Sequence, residues 1–136
     1  MAFVDWDEQL SLGDPMIDRE HQTFVALINK VHEVSLSPDR DAEIMRALTA
    51  MYLYAKEHFF DEEALMERVG YADRLRHAEL HRAFVTKTHA LTDACLDGSL
   101  EFTELMAFLV DWLKQHIQEE DARIVRHAQD QEAAKN

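Results

Sequence analysis

Six residues of this chain combine metal-binding side chains with helical spacing: His21, His58 with Glu62 four residues on, His77 with His81, and His116. His116 opens a stretch that runs to Glu120 and Asp121, so a second carboxylate is within reach. Residues four apart on a helix differ by about 40° in direction and about 6 Å in height, so both can face one ion. One such pair carries little weight, because a single histidine on an apolar face is commonly a core residue. Two pairs on separate segments, with further histidines on two others, are a different matter. Without a metal they would bury many unsatisfied polar groups in one core. Imidazole suits iron, zinc, copper and nickel, and carboxylate adds a harder donor. Two roughly octahedral metals offer about twelve positions. Five histidines, two bridging carboxylates and a bridging oxygen leave one position open for a small ligand such as O2.

The second carboxylate has two candidates. Glu120 lies four residues from His116 and shares its face. Asp121 lies five residues on, about 140° round an ideal α-helix. Regular spacing favours Glu120. Asp121 reaches the same centre only if the helix widens locally into a π-type turn, a feature that concentrates at functional sites.

The elements that must carry these residues are legible from periodicity. Residues 1 to 17 read as a non-helical arm with Gly13 and Pro15 as breakers, and Phe3 and Trp6 are placed to cover a bundle end. A first helix runs from about Asp18 to Leu36 along Ile17, His21, Phe24, Ile28, Val31 and Ser35. Ser37-Pro38 closes it and caps the next. The second helix carries the most regular seam: Ile44, Leu48, Met51, Ala55, His58, Glu62, Leu65 and Val69, with Gly70 as its stop. A third spans about Tyr71 to Cys95 through His77, His81, Phe84, Thr88, Leu91 and Cys95. Ser99 is placed to cap a fourth, which runs from about Leu100 to His127 with Phe102, Leu105, Leu109, Trp112 and His116 inward. Residues 129 to 136 read as a polar, fraying tail. No β-pattern competes. Four long helices on short turns predict an all-α, up-down-up-down antiparallel four-helix bundle forming a single domain over residues 1–136, with its core at 18–128.

Composition excludes several classes. A net charge of −13 argues against nucleic acid and against an anionic membrane surface. No stretch reaches the length of a membrane span. The first ten residues carry acidic side chains and no basic start, unlike a signal peptide. The single cysteine, Cys95, precludes an internal disulfide and fits a reducing compartment, so a cytoplasmic location is expected. Glu-x-x-His, the motif of carboxylate-rich di-iron enzymes, does not occur. The third-helix pair reads His-Ala-Glu-Leu-His, which is not the zinc-protease pattern. His32 and His127 each lie eleven residues beyond a candidate ligand, about 16 Å along the axis, too far for the same ion. His89 falls off the seam. The neighbours of the candidate carboxylates, Asp61, Glu63 and Glu119, read as solvated.

Taken together and in order, four stretches resemble the hemerythrins, most closely the single-domain bacterial members. They are Ile17-Asp18-Arg19-Glu20-His21-Gln22, His58-Phe59-x-x-Glu62-Glu63-x-x-Met66, His77-x-x-x-His81, and Trp112-Leu113-x-x-His116-Ile117-x-x-x-Asp121. The resemblance runs from Trp6 to about Ile124. It implies two non-haem irons with a bridging oxo or hydroxo group. His77, His81 and His116 would hold one iron, His21 and His58 the other, and Glu62 and Asp121 would bridge them. It therefore implies Asp121 rather than Glu120, and with it a π-turn between His116 and Asp121. The open position would take O2 reversibly, for storage, delivery or sensing, and NO, azide or other small anions are implied as alternative ligands. An electron donor or an O2-consuming enzyme would be the partner. Phe24, Phe59, Trp112, Leu113 and Ile117 would wall an apolar ligand pocket, without acid or base groups to cleave the O–O bond. The same five residues are also ordinary core candidates. The competing reading is an enzyme: a di-iron oxidase, peroxidase or nitric oxide reductase. Departures from the family pattern are Ala72, where proline is common after the tyrosine, and Ile124, where a tyrosine often stands.

Overall fold

A computed structural model describes residues 3–135. The chain forms helices α1 (Pro15–Val34), α2 (Arg40–Arg68) and α3 (Arg74–Asp97), then a continuous rod. The rod consists of α4 (Phe102–Asp111), a π-helical segment (Trp112–Asp121) and α5 (Ala122–Ala134). In contact terms α1 packs on α2, α2 on α3, and α1 also on α4. The bundle is the antiparallel four-helix architecture that the periodicity predicts, and no strand occurs among the described residues.

Seam residues go where spacing sends them. On α3 all six, His77, His81, Phe84, Thr88, Leu91 and Cys95, are buried. On α2 every predicted seam residue is buried except Val69, which is half-buried beyond the helix end. The seam of α1 ends on buried Val34, and Ser35 is half-buried as the residue that caps the helix. One apolar cluster, including Phe24, Ile28, Leu48, Met51, Phe84 and Leu109, fills the bundle on one side of the histidines. A smaller one, Ile17, Leu65, Met66, Ile124 and Val125, fills the other. Ile124, at the position where the family often has tyrosine, is thus a packing residue.

The ends of the elements differ from expectation in four places. First, α1 starts at Pro15, so the non-helical arm stops at Asp14. Asp14 Oδ1 accepts from the Met16 and Ile17 amides at 3.0 Å each, and Pro15 takes the first helical position, where no amide is needed. Second, Ser37 does not cap α2. Its hydroxyl accepts from the Asp39 amide at 3.2 Å inside a turn, and the helix begins at Arg40. Third, Ser99 does not cap α4. It closes the α3 terminus instead, with its amide 2.9 Å from the Ala94 carbonyl across Gly98, whose φ of 80° suits glycine. Fourth, the tail does not fray at residue 129, because α5 continues to Ala134. Its His127 and Gln131 side chains reach the Val69 carbonyl at 3.0 and 2.5 Å, satisfying the exposed end of α2. Gly70 stops α2 as expected, with the Tyr71 amide returning to the Met66 carbonyl at 2.9 Å.

The arm is held to the bundle by a reciprocal pair of bonds. Asn29 accepts from the Val4 amide and donates to the Val4 carbonyl, both at 2.7 Å. Trp6 is half-buried against the core, whereas Phe3 stays 47 % exposed and stacks on His32 at 4.4 Å.

Candidate metal centre

Each helix of the bundle brings donors to one level. His21 comes from α1, His58 and Glu62 from α2, His77 and His81 from α3, and His116 and Asp121 from the π-helical segment. All seven are buried, none more than 3 % exposed. Their donor atoms form two overlapping groups. One joins His77, His81, His116, Glu62 and Asp121; the other joins His21, His58, Glu62 and Asp121, with the atoms of each within 4.8 Å of one another. The two carboxylates are common to both groups. Glu62 lies 2.5 Å from His77 Nε2, 3.0 Å from His81 Nε2 and 3.3 Å from His58 Nε2. Asp121 lies 2.9 Å from His21 Nε2, 3.1 Å from His77 Nε2 and 3.0 Å from His116 Nε2.

The fourth helix decides which acid takes part. Over Trp112–Asp121 the backbone is π-helical, so the turn is wider and residue i+5 comes round to the face of residue i. That puts Asp121 above His116 inside the bundle. Glu120, which regular spacing favours, turns outward and holds Arg76 through both oxygens at 2.9 and 3.0 Å.

Several features suit this donor set to metal rather than to a set of hydrogen bonds. Five imidazoles all present Nε2 to the centre. Two are aimed from behind: His58 Nδ1 meets Glu20 at 3.1 Å and His81 Nδ1 meets Glu63 at 3.0 Å. A carboxylate on the far nitrogen fixes the ring and its tautomer, an arrangement typical of metal-bound histidine. Four inward atoms, His58 Nε2, Glu62 Oε2, His116 Nε2 and Asp121 Oδ1, are buried without a hydrogen-bond partner. His116 Nε2 and Asp121 Oδ1 are 3.0 Å apart, yet neither counts as satisfied. They face each other at ion-pair distance without forming a hydrogen bond. Native cores rarely tolerate such orphans without a ligand.

Protonation follows the same geometry. Burial works against a charged His77, but the facing carboxylates of Asp121 and Glu62 outweigh it and hold the imidazole up at about 9. Burial likewise opposes charge on His116, and Asp121 with Glu62 turns the shift upward. Glu62 and Asp121 would be raised by burial; the facing imidazoles pull both well below the usual carboxylate range. The metal-free cluster therefore holds protons where cations would sit.

The expected pocket residues are distributed around this cluster. Phe59 stacks on His81 at 3.9 Å and Trp112 on His116 at 3.8 Å, both within 9° of parallel. Phe24 is fully buried on the His21 side, against Tyr54 at 5.6 Å. Leu113 and Ile117 are buried in the same apolar cluster. Sequence reasoning missed four neighbours. Glu20 and Glu63 read as solvated or went unremarked, though each directly adjoins a candidate ligand in sequence. Phe84 is the hub of the aromatic wall, against Phe24, Phe59 and Trp112. Tyr54, one turn before His58, stacks nearly parallel to it at 5.4 Å. Its spacing of four from His58 was the available signal. Burial pushes its phenol upward, with the charges of Asp121, Glu62 and Glu20 adding to the rise. A buried phenol thus stands beside the cluster among the aromatic residues.

Residues 12–128 match the family described as Hemerythrin HHE cation binding domain. Curated relatives named bacteriohemerythrin include those of Pseudomonas aeruginosa, 30% identical over 92% of this chain and 81% of that one. Another, from Clostridium acetobutylicum, is 28% identical over 88% of this chain and 97% of that one. Among solved structures, a hemerythrin point variant superposes with a TM-score of 0.83 at 27% identity, covering 93% of this chain and 98% of the other. A wild-type hemerythrin gives 0.79 at 28% identity, covering 89% and 94%.

Proposed function

This chain belongs to the hemerythrin family, and from that premise we propose that it binds O2 reversibly at a pair of non-haem irons. The observation that carries the reading is the sharing of Glu62 and Asp121 between a three-histidine and a two-histidine group. Two shared carboxylates, unequal histidine counts and a bridging oxygen would fill a pair of six-coordinate ions but for one position on the poorer side. His77, His81 and His116 are assigned to one iron, His21 and His58 to the other. When bound there, two ferrous ions with a bridging oxo or hydroxo group would supply the two electrons of reversible O2 binding.

The chain's own residues account for the rest. Glu20 and Glu63 hold His58 and His81 by their far nitrogens, keeping Nε2 inward. Phe59 and Trp112 cover the His81 and His116 rings, and Phe24, Leu113 and Ile117 add apolar surface that keeps water from the ligand. The π-helical turn supplies Asp121. Storage, delivery and sensing all need only this chemistry, and an electron donor that restores the ferrous state is the partner it implies. No helix among the described residues is long and apolar enough to cross a membrane. A cytoplasmic site of action fits the single buried thiol, Cys95.

An oxygen-electrode measurement separates this from an oxidase or peroxidase. Reduced, iron-loaded protein should take up one O2 for every two irons and then stop. Continued O2 consumption in the presence of reductant, at a rate proportional to protein, would replace the binding reading by an enzymatic one.

A further inference from the structure

Among the described residues outside the ligand cluster, Tyr54 is the one whose buried side-chain polar atom has no hydrogen-bond partner. It is 8 % exposed, and its hydroxyl is buried with no hydrogen-bond partner. Burying a hydroxyl unpaired is costly, and phenylalanine would fill the same space without that cost. The position of the ring shows what the hydroxyl can serve. It stacks on His58 at 5.4 Å and against Phe24 at 5.6 Å, so it stands on the His21–His58 side of the cluster. It feels the charges of His58, Asp121, Glu62 and Glu20. The three-histidine side is covered differently, by Phe59 and Trp112, which bring no hydroxyl.

We propose that the Tyr54 hydroxyl donates a hydrogen bond to the small ligand held on the His21–His58 side, and so favours ligands whose outer atom carries or gains negative charge. Tyr54 is then a specificity-determining residue, and the inference rests on reading the cluster as a di-iron centre. No second group hydrogen-bonds the phenol among the described residues, so no relay replaces its proton. A donor whose proton is not replaced can stabilise a charged ligand but cannot sustain turnover that consumes protons, which is compatible with release of the ligand unchanged.

Azide is the probe, added to oxidised, iron-loaded wild-type protein and to Tyr54→Phe, with binding followed by its charge-transfer absorption. The substitution keeps the ring and removes one oxygen, so iron content should be the same in both. Azide affinity should fall by about tenfold in Tyr54→Phe, the loss of one hydrogen bond to a charged acceptor. The infrared stretch of bound azide should shift between H2O and D2O in the wild type and cease to shift in the variant. A merely structural role for Tyr54 would leave that isotope shift in place. Equal affinity and an isotope shift retained in both proteins would overturn the proposal alone. Absence of azide absorption in both, with fewer than two irons per chain, would overturn the di-iron reading and this proposal with it.

Discussion

Removing the metal should destabilise this bundle strongly, and with a pH dependence of definite sign. Four inward-facing atoms, His58 Nε2, Glu62 Oε2, His116 Nε2 and Asp121 Oδ1, are buried and unpartnered when no cation joins them. A fully isolated group costs about 1–3 kcal/mol, and because these four face one another as two ion pairs at 3.3 and 3.0 Å the set costs near the lower end, roughly 4 kcal/mol. A chain of 136 residues has roughly 7–20 kcal/mol of stability in all. At this size about 1 kcal/mol corresponds to about 3 °C, so the metal-free protein should melt at least about 10 °C below the iron-loaded form. Protons relieve part of the strain. In the metal-free chain His77 is held up at about 9, against burial, by the facing carboxylates of Asp121 and Glu62. A folded pKa above the unfolded value of about 6.5 gives stability that is complete below that value and is lost as pH rises through about 9. The metal-free protein should therefore lose melting temperature between pH 6.5 and 9, while the loaded protein, with metal in place of those protons, should not. Differential scanning calorimetry of both forms across that range measures it. Melting temperatures within about 2 °C of each other, or a metal-free form that gains stability as pH rises, would refute the reasoning.

Three substitutions examine the assignment residue by residue. His77→Ala removes a donor that touches both carboxylates, and bound iron should fall from two per chain to one or none; normal iron content would remove His77 from the ligand set. Asp121→Asn should lose iron while Glu120→Gln keeps it, because the π-helical turn points one inward and pairs the other with Arg76; the reverse pattern would show that the regular-helix reading was right. Leu113→Ala opens the wall at a residue only 5 % exposed and should speed autoxidation of the O2-bound form by admitting water, followed as decay of its absorption; an unchanged or slower rate would argue against a water-excluding role. The same variant should cost about 2–5 kcal/mol of folding stability as a core deletion, so its rate is to be read on protein shown to be folded.

Much of the centre was legible in the chain because metal ligation and helical burial share one period. His58 and Glu62 stand where Ile44, Leu48 and Met51 set the seam, so their burial followed from the pattern alone. Asp121 did not, since an α-helical period points to Glu120; only the family resemblance suggested the π-turn that the structure has. Residues that act across helices were harder to read. Glu20 and Glu63 look solvated in sequence, and what draws them in is the Nδ1 of an imidazole on another helix. The polar tail misled for a similar reason. Nothing in Gln131 or His127 reveals that the Val69 carbonyl, about sixty residues earlier, lacks a partner. The serine caps failed because Ser37 and Ser99 bond within their own turns. Local signals had those residue types right and the competing local partner unseen.

The central claim is reversible O2 binding at two irons, and a visible spectrum taken with iron content tests it most directly. Reduced, anaerobic protein should contain two irons per chain, develop a charge-transfer band on exposure to air, and lose that band on purging with argon. Two irons with a band that forms once and never reverses, or a chain that holds a single zinc or no metal, would contradict the account.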